Sequence, residues 1–307
     1  MMRLVPRLPL AATALLLGAA PARAQVQWEQ RAPIRAERTG AFADEALTES
    51  SGLAASRRSA GLLWTIEDSR NDPLIHATDS LGRDLGSWTV AGAENVDWEA
   101  LAVGPCPAGH CLYIGDTGDN AERRAQVVIY RVAEPDISER PRTTAPAQSL
   151  SFRYPDGPRD TEAMLVTPVG DVLLISKGRR GPSRLYRLRA SAWDAPSAVA
   201  DSLGPLALPG DAGITGQVTD AALSPDGRSV VVRTYVDLFF FELRADSRLM
   251  PASPPVTCSV FGLEMQGEGV DWLDGRRLAL AGERALGVPG GIAIVECPLG
   301  SSGSLPK

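Results

Sequence analysis

Five short stretches of this chain repeat one another, and a repeat of this period restricts the fold more than any other feature of the sequence. The clearest copy is Asp97-Trp98-Glu99-Ala100-Leu101, followed by a turn and the apolar run Leu112-Tyr113-Ile114-Gly115-Asp116. The others are Glu49-Ser50-Ser51-Gly52-Leu53, Asp160-Thr161-Glu162-Ala163-Met164, Val218-Thr219-Asp220-Ala221-Ala222 and Gln266-Gly267-Glu268-Gly269-Val270. Aligned on the third residue, they put Ser51, Glu99, Glu162, Asp220 and Glu268 in register, at intervals of 48, 63, 58 and 48 residues.

Each copy opens the same plan. The signature strand ends at a Gly, Pro or Asp turn, as in Thr167-Pro168-Val169-Gly170 and Ser224-Pro225-Asp226-Gly227, because such turns need the dihedrals these residues supply. Second strands follow at 62–68, 111–116, 172–177, 230–235 and 277–283, and third strands at 74–79, 127–132, 183–188, 238–243 and 292–297. Their β-branched and aromatic content with polar ends fits packed strands. Fourth strands are expected at 86–90, 148–155, 197–208 and 254–261, and the fifth repeat lacks one. Residues 25–43 form an orphan strand ahead of the first repeat and supply the missing one. Plentiful Gly (30) and Pro (24) agree with many strands and turns. The expectation is an all-β, five-bladed β-propeller over 25–299, closed by its N-terminal strand, with a tail at 300–307.

Arg3 and Arg7, the apolar run from Leu8 to Ala20 and Ala22-Arg23-Ala24 read as a secretory signal peptide over 1–24, cut before Gln25. The run is short for a membrane span, no cysteine stands at the cut for a lipid anchor, and the arginines are not a twin pair. Removing the leader removes three arginines and no acid, leaving 28 basic against 37 acidic residues and a net charge near −9. Nucleic acid and anionic membrane are therefore poor partners. A periplasmic or secreted location suits the four cysteines. Cys106 and Cys111 flank a hairpin turn and can bridge, which leaves Cys258 and Cys297 for each other. Zinc fits less well, since the spacing is wrong and only His76 and His110 exist.

In a propeller the signature strand lines the central shaft, and residues two apart share a strand face. One tier then holds Ser51, Glu99, Glu162, Asp220 and Glu268, and a second holds Glu49, Asp97, Asp160, Val218 and Gln266. Close carboxylate pairs repel by about 4 kcal/mol at about 4 Å in a partly solvated interior. No Lys or Arg lies on the signature strands, so a bound cation is expected to relieve the crowding. An all-oxygen donor set selects a hard ion, and calcium accepts many oxygens in irregular geometry. A water-filled shaft with some acids protonated, or arginines from neighbouring strands, would serve the same end.

One Ser or acid per blade on the innermost strand of a secreted five-bladed chain resembles the calcium-activated nucleotidases (apyrases). That resemblance implies a calcium held at the centre of the propeller by Ser51, Glu99, Glu162, Asp220 and Glu268, with Asp220 standing where the pattern has Ser. The motifs VDWE (96–99), YIGDTGDN (113–120), YPDGPRDTEAM (154–164) and SPDGR (224–228) resemble more closely a large uncharacterised group of secreted bacterial propellers, a likeness that spans nearly the whole mature chain and implies no reaction.

The start of the first strand and the end of the second share one face of a propeller. Around that mouth should gather Glu67, Asp68 and Arg70, then Asp116, Asp119 and Asn120, Lys177, Arg179 and Arg180, Arg233 and Tyr235, and Glu283 and Arg284. Acids from two blades opposite cations from a third suit a small anionic ligand held between metal and arginines. In that reading Asp68, Asp97 or Asp116 orients or deprotonates a water, while Arg70, Lys177, Arg179 and Tyr235 hold the substrate. Three functions fit: a calcium-dependent hydrolase of a phosphate-containing anion, a glycoside hydrolase, or a propeller that binds a ligand or protein around a structural calcium. The glycosidase is disfavoured by the few aromatics at the mouth beyond Tyr235 and Trp98. A serine hydrolase has only His76 for a base and no nucleophile elbow. Asp116 to Asn120 resembles part of an EF-hand loop but lacks its closing Glu.

Overall fold

A computed structural model describes residues 26–209 and 213–299, so the expected leader at 1–24 and tail at 300–307 lie outside the described residues. Five sheets, antiparallel within each blade, form a five-bladed β-propeller. Blade 1 is Ser50–Ala55, Leu62–Glu67, Leu74–Asp79 and Gly86–Thr89, and blade 2 is Trp98–Cys106, Gly109–Asp116, Val127–Ala133 and Gln148–Arg153. Blade 3 is Thr161–Val166, Val172–Ser176, Arg184–Leu188 and Asp201–Pro205. Blade 4 is Val218–Leu223, Ser229–Thr234, Asp237–Leu243 and Val256–Ser259. Blade 5 is Gly267–Trp272, Arg277–Gly282 and Gly291–Glu296, completed by Arg35–Ala41 from the start of the chain, which runs antiparallel to Gly291–Glu296. Each signature strand packs against the next, and the last against the first.

The near-continuous apolar runs have a simple cause. A blade is covered on both faces, so alternate residues of one strand serve different neighbours. Leu112 and Ile114 belong to the core between blades 1 and 2, whereas Tyr113 belongs to the core between blades 2 and 3. Five such cores fill the five gaps between blades. The indoles of Trp64, Trp88, Trp98 and Trp272 are fully buried in them.

Three expectations change. The orphan strand is two strands: Arg35–Ala41 closes blade 5, but Glu29–Arg31 runs parallel to Val256–Ser259 on the rim of blade 4. The expected strand at 197–208 is likewise divided, Ala198–Val199 extending blade 2 in parallel and Asp201–Pro205 ending blade 3. Both segments therefore staple neighbouring blades at the rim, where an unpaired edge would otherwise be exposed. The Cys106–Cys111 disulfide is formed across its hairpin. Cys258 and Cys297 are free thiols instead of a second bridge, although both lie in the core between blades 4 and 5.

Candidate functional site

Every signature strand carries a β-bulge at the same place. Pairing with the second strand skips one residue between Ser50 and Gly52, Trp98 and Ala100, Thr161 and Ala163, Val218 and Asp220, and Gly267 and Gly269. The skipped residues are Ser51, Glu99, Glu162, Thr219 and Glu268. A bulge re-aims side chains and breaks the two-residue alternation, and here it does so at the shaft in all five blades. Four of the five aligned positions hold this register. The exception is Asp220, one residue further along.

Asp220 is fully buried and accepts the backbone N–H of Ala221 at 2.8 Å and of Val270 in blade 5 at 2.7 Å. It latches two blades together. Asp271 repeats the arrangement toward blade 1, accepting from Ala55 at 2.6 Å and Trp272 at 2.7 Å. Ser51 is also engaged between blades, its hydroxyl donating to the Trp98 carbonyl at 2.8 Å.

One cluster of acids without an ion pair among the described residues lies between blades 1 and 2. Carboxylate oxygens of Asp68, Asp97 and Glu99 all lie within 4.8 Å of one another. Asp68 and Asp97 are half-buried toward the mouth and Glu99 is buried below them. Burial, then the charges of Asp68 and Asp160, push the Asp97 carboxyl up to about 7. Burial, then Glu162 and Asp68, push Glu99 well above the carboxylate range. Among the described residues none of the three makes an ion pair.

Neighbouring groups hold this cluster in place. Asn95 donates to the carbonyls of Glu67 at 3.1 Å and Asp68 at 2.8 Å, fixing the loop that carries Asp68. Asp116, expected at the open mouth, is instead buried. It pairs with Arg124 at 2.8 Å and accepts the N–H groups of Val96 and Asp97, so its work is to position the strand entering the shaft. Gly118 packs directly on the acids: a Cβ there would stand 2.5 Å from Asp97 Cγ and 2.7 Å from Glu99 Cγ. Gly118→Ala should therefore splay the two carboxylates and weaken binding of the expected calcium by about tenfold or more, a change of about 1.4 kcal/mol measurable by calorimetry. Calcium affinity unaltered in this variant would separate these acids from the ion.

The rest of the shaft has its own cation. Lys177, at the end of the second strand of blade 3, is buried among the acids with Nζ 2.8 Å from Glu162 Oε1. Burial opposes its charge, but Glu162, Tyr235 and Glu99 outweigh that and hold the ammonium protonated, its pKa raised. Its Nζ lies 5.8 Å from the centre of the half-buried Tyr235 ring. Lys177 and Tyr235 thus line the shaft itself. Arg179 is exposed at the mouth with Nε 3.4 Å from Asp160 Oδ2, and Arg70 is exposed in a left-handed turn at φ 65°. Arg233, which the sequence placed at the mouth, is buried between blades 4 and 5. It pairs with Glu264 and donates to the carbonyls of Gly269 at 2.5 Å and Ala281 at 3.1 Å. Glu268 and Glu283 stay crowded: burial, partly offset by Lys177, puts Glu268 at about 7, and burial with Glu268 and Asp68 puts Glu283 at about 8.

Further along the signature strands a small cavity of about 20 Å³, room for a single water, is lined by Leu53, Arg57, Leu101, Met164, Ala221 and Asp271. A cavity of about 540 Å³ is walled by Arg179 and Ser183 of blade 3 and by Leu206, Leu208, Ile214 and Gln217 of the connection that leads to blade 4.

No protein-family model and no curated protein matches this sequence. Solved structures do share its shape. The chain is similar to the PQQ-bound aldose sugar dehydrogenase of Streptomyces coelicolor, with a TM-score of 0.53 at 14% identity over 87% of this chain and 99% of that one. A luciferin-regenerating enzyme gives 0.47 at 9% identity over 86% and 95% of the two chains. At these identities the likeness is one of fold. Among the described residues no helix is long and apolar enough to cross a membrane.

Proposed function

We propose that this chain is a secreted or periplasmic calcium-binding propeller that hydrolyses a small phosphate-containing anion at its mouth. The observation that carries the reading is the convergence of Asp68, Asp97 and Glu99 with no ion-paired partner of their own among the described residues. Three carboxylates offer oxygen alone, which suits a hard cation, and calcium takes about six to eight oxygens, so water or substrate would complete the shell. Asp68 and Asp97 are half-buried, so that open side faces the mouth. An ion there would polarise a phosphoryl oxygen and lower the pKa of a bound water. Arg70 and Arg179 lie at the rim, where they can meet the substrate's charge. The cavity walled by Arg179, Ser183 and the connection out of blade 3 is of a size that takes a small molecule.

A second reading, a ligand-binding propeller whose calcium is structural, is favoured by one observation. Lys177 and Arg179 are already paired with Glu162 and Asp160, which leaves fewer cations for an anion. The two readings separate in one experiment. Aryl phosphates, nucleoside di- and triphosphates and phytate are offered to metal-stripped protein with and without calcium, beside Asp68→Asn. Phosphate release that needs calcium and is lost in a folded Asp68→Asn supports the hydrolase. Calcium binding without release across the panel supports the structural ion, and absence of calcium binding overturns both.

A further inference from the structure

The shaft acids differ in their partners among the described residues. Asp68, Asp97 and Glu99 converge without an ion pair, while Glu162 is paired with the Lys177 ammonium, whose charge also favours the ionised forms of Glu268 and Glu99. Glu162 and Glu268 are deeply buried, at 1% and 4% exposure. Thr219 completes the same bulge register from blade 4, fully buried, with a hydroxyl that has no hydrogen-bond partner among the described residues. An unpaired buried hydroxyl is costly, and in a shaft lined by carboxylate oxygens it is one more donor atom for a cation.

We infer that Lys177 is a built-in counter-ion that fills a second cation position made by Glu162, Glu268 and Thr219, and so restricts the shaft to one divalent ion. The inference rests on the proposed ion at Asp68, Asp97 and Glu99 for its count, though not for its sign. The backbone of Lys177 is anchored beside the site, because its carbonyl accepts the N–H of Val218 and so ties blade 3 to blade 4. The ammonium is a compact point charge on a flexible stem, which is the form of cation that can reach a shaft centre from a strand end. Removing that charge while keeping the stem leaves an oxygen-only pocket of the kind that takes a hard divalent cation.

The test counts calcium ions on the metal-stripped mature protein by native mass spectrometry and calorimetry. Lys177→Met should bind one ion more than the wild type, and adding Glu162→Gln to it should remove the extra ion. Lys177→Arg, which keeps the charge, should gain none. Should Lys177→Met fail to fold, Glu162→Gln in the wild type gives an independent answer. Its ion count should be unchanged and its affinity weakened by less than about tenfold, as for a nearby charge that is not a ligand. Loss of wild-type calcium binding in Glu162→Gln, or no extra ion in a folded Lys177→Met, overturns the inference. A wild type that binds no calcium defeats the proposed ion at Asp68, Asp97 and Glu99. In that case an ion gained by Lys177→Met and lost with Glu162→Gln still supports the role of Lys177.

Discussion

Glu99→Gln should raise the melting temperature of the metal-free protein and remove most of the increment that calcium adds. Glu99 is buried beside Asp68, Asp97 and Glu162, and both burial and those neighbours disfavour its charge, so a neutral isostere relieves the free state. The same change takes a charged ligand from the ion. Calcium at about 100 times its dissociation constant would stabilise the wild type by about 2.7 kcal/mol, which for a chain of this size is about 5 °C. The metal-free protein should also show the matching dependence on pH. Asp97 and Glu268 at about 7 and Glu283 at about 8 have folded pKa values above their unfolded ones. Their contribution is complete below the unfolded carboxylate pKa and is lost as pH rises through the folded values. Stability without calcium should therefore fall between about pH 5 and 8, and calcium, which favours the ionised acids, should shrink that fall. Melting curves with and without calcium across this range decide it. A wild type indifferent to calcium at pH 8, or a Glu99→Gln variant that keeps the full increment, would sink the proposed ion.

The repeat, the strand order within a blade and the closure by the N-terminal chain were legible because each depends on local pattern. The acids at Glu99, Glu162 and Glu268 were legible for the same reason. What misled was regular alternation. The bulges insert a residue at the shaft, so pairing residues two apart does not carry across them, and in blade 4 the acid Asp220 attracted an alignment that belongs to Thr219. A spacing signal was present: Glu99, Glu162 and Thr219 each stand six residues before Pro105, Pro168 and Pro225. Lys177 is a different case. It lies off the signature strands and reaches the acids from the end of a second strand, so the signature pattern carries no sign of it. Strand position alone puts Asp116 and Arg233 at the mouth, and both are buried. Their burial depends on Arg124 and Glu264, which lie on loops whose course the repeat does not encode.

Asp220, displaced from the shaft register, should matter to the fold more than to the ion. Asp220→Ala should destabilise the protein by about 3 kcal/mol, since two buried backbone N–H groups, those of Ala221 and Val270, lose their acceptor and each such loss costs about 1–3 kcal/mol. For a chain of this size that is a fall of about 5 °C in melting temperature. Asp220→Asn, whose amide oxygen can still accept, should lose less. The loss should be felt as a weakened join between blades 4 and 5, because Asp220 reaches across that gap to the strand that also carries Glu268. Its effect on calcium should be small, since its carboxylate is committed to backbone and Thr219 holds the shaft position. The calcium increment in a folded Asp220→Asn is therefore the discriminating measurement. If the increment persists, the ion's ligands are the acids between blades 1 and 2. If it disappears while the fold is intact, Asp220 must turn its carboxylate to the ion, and the bulge would not set the register of the site.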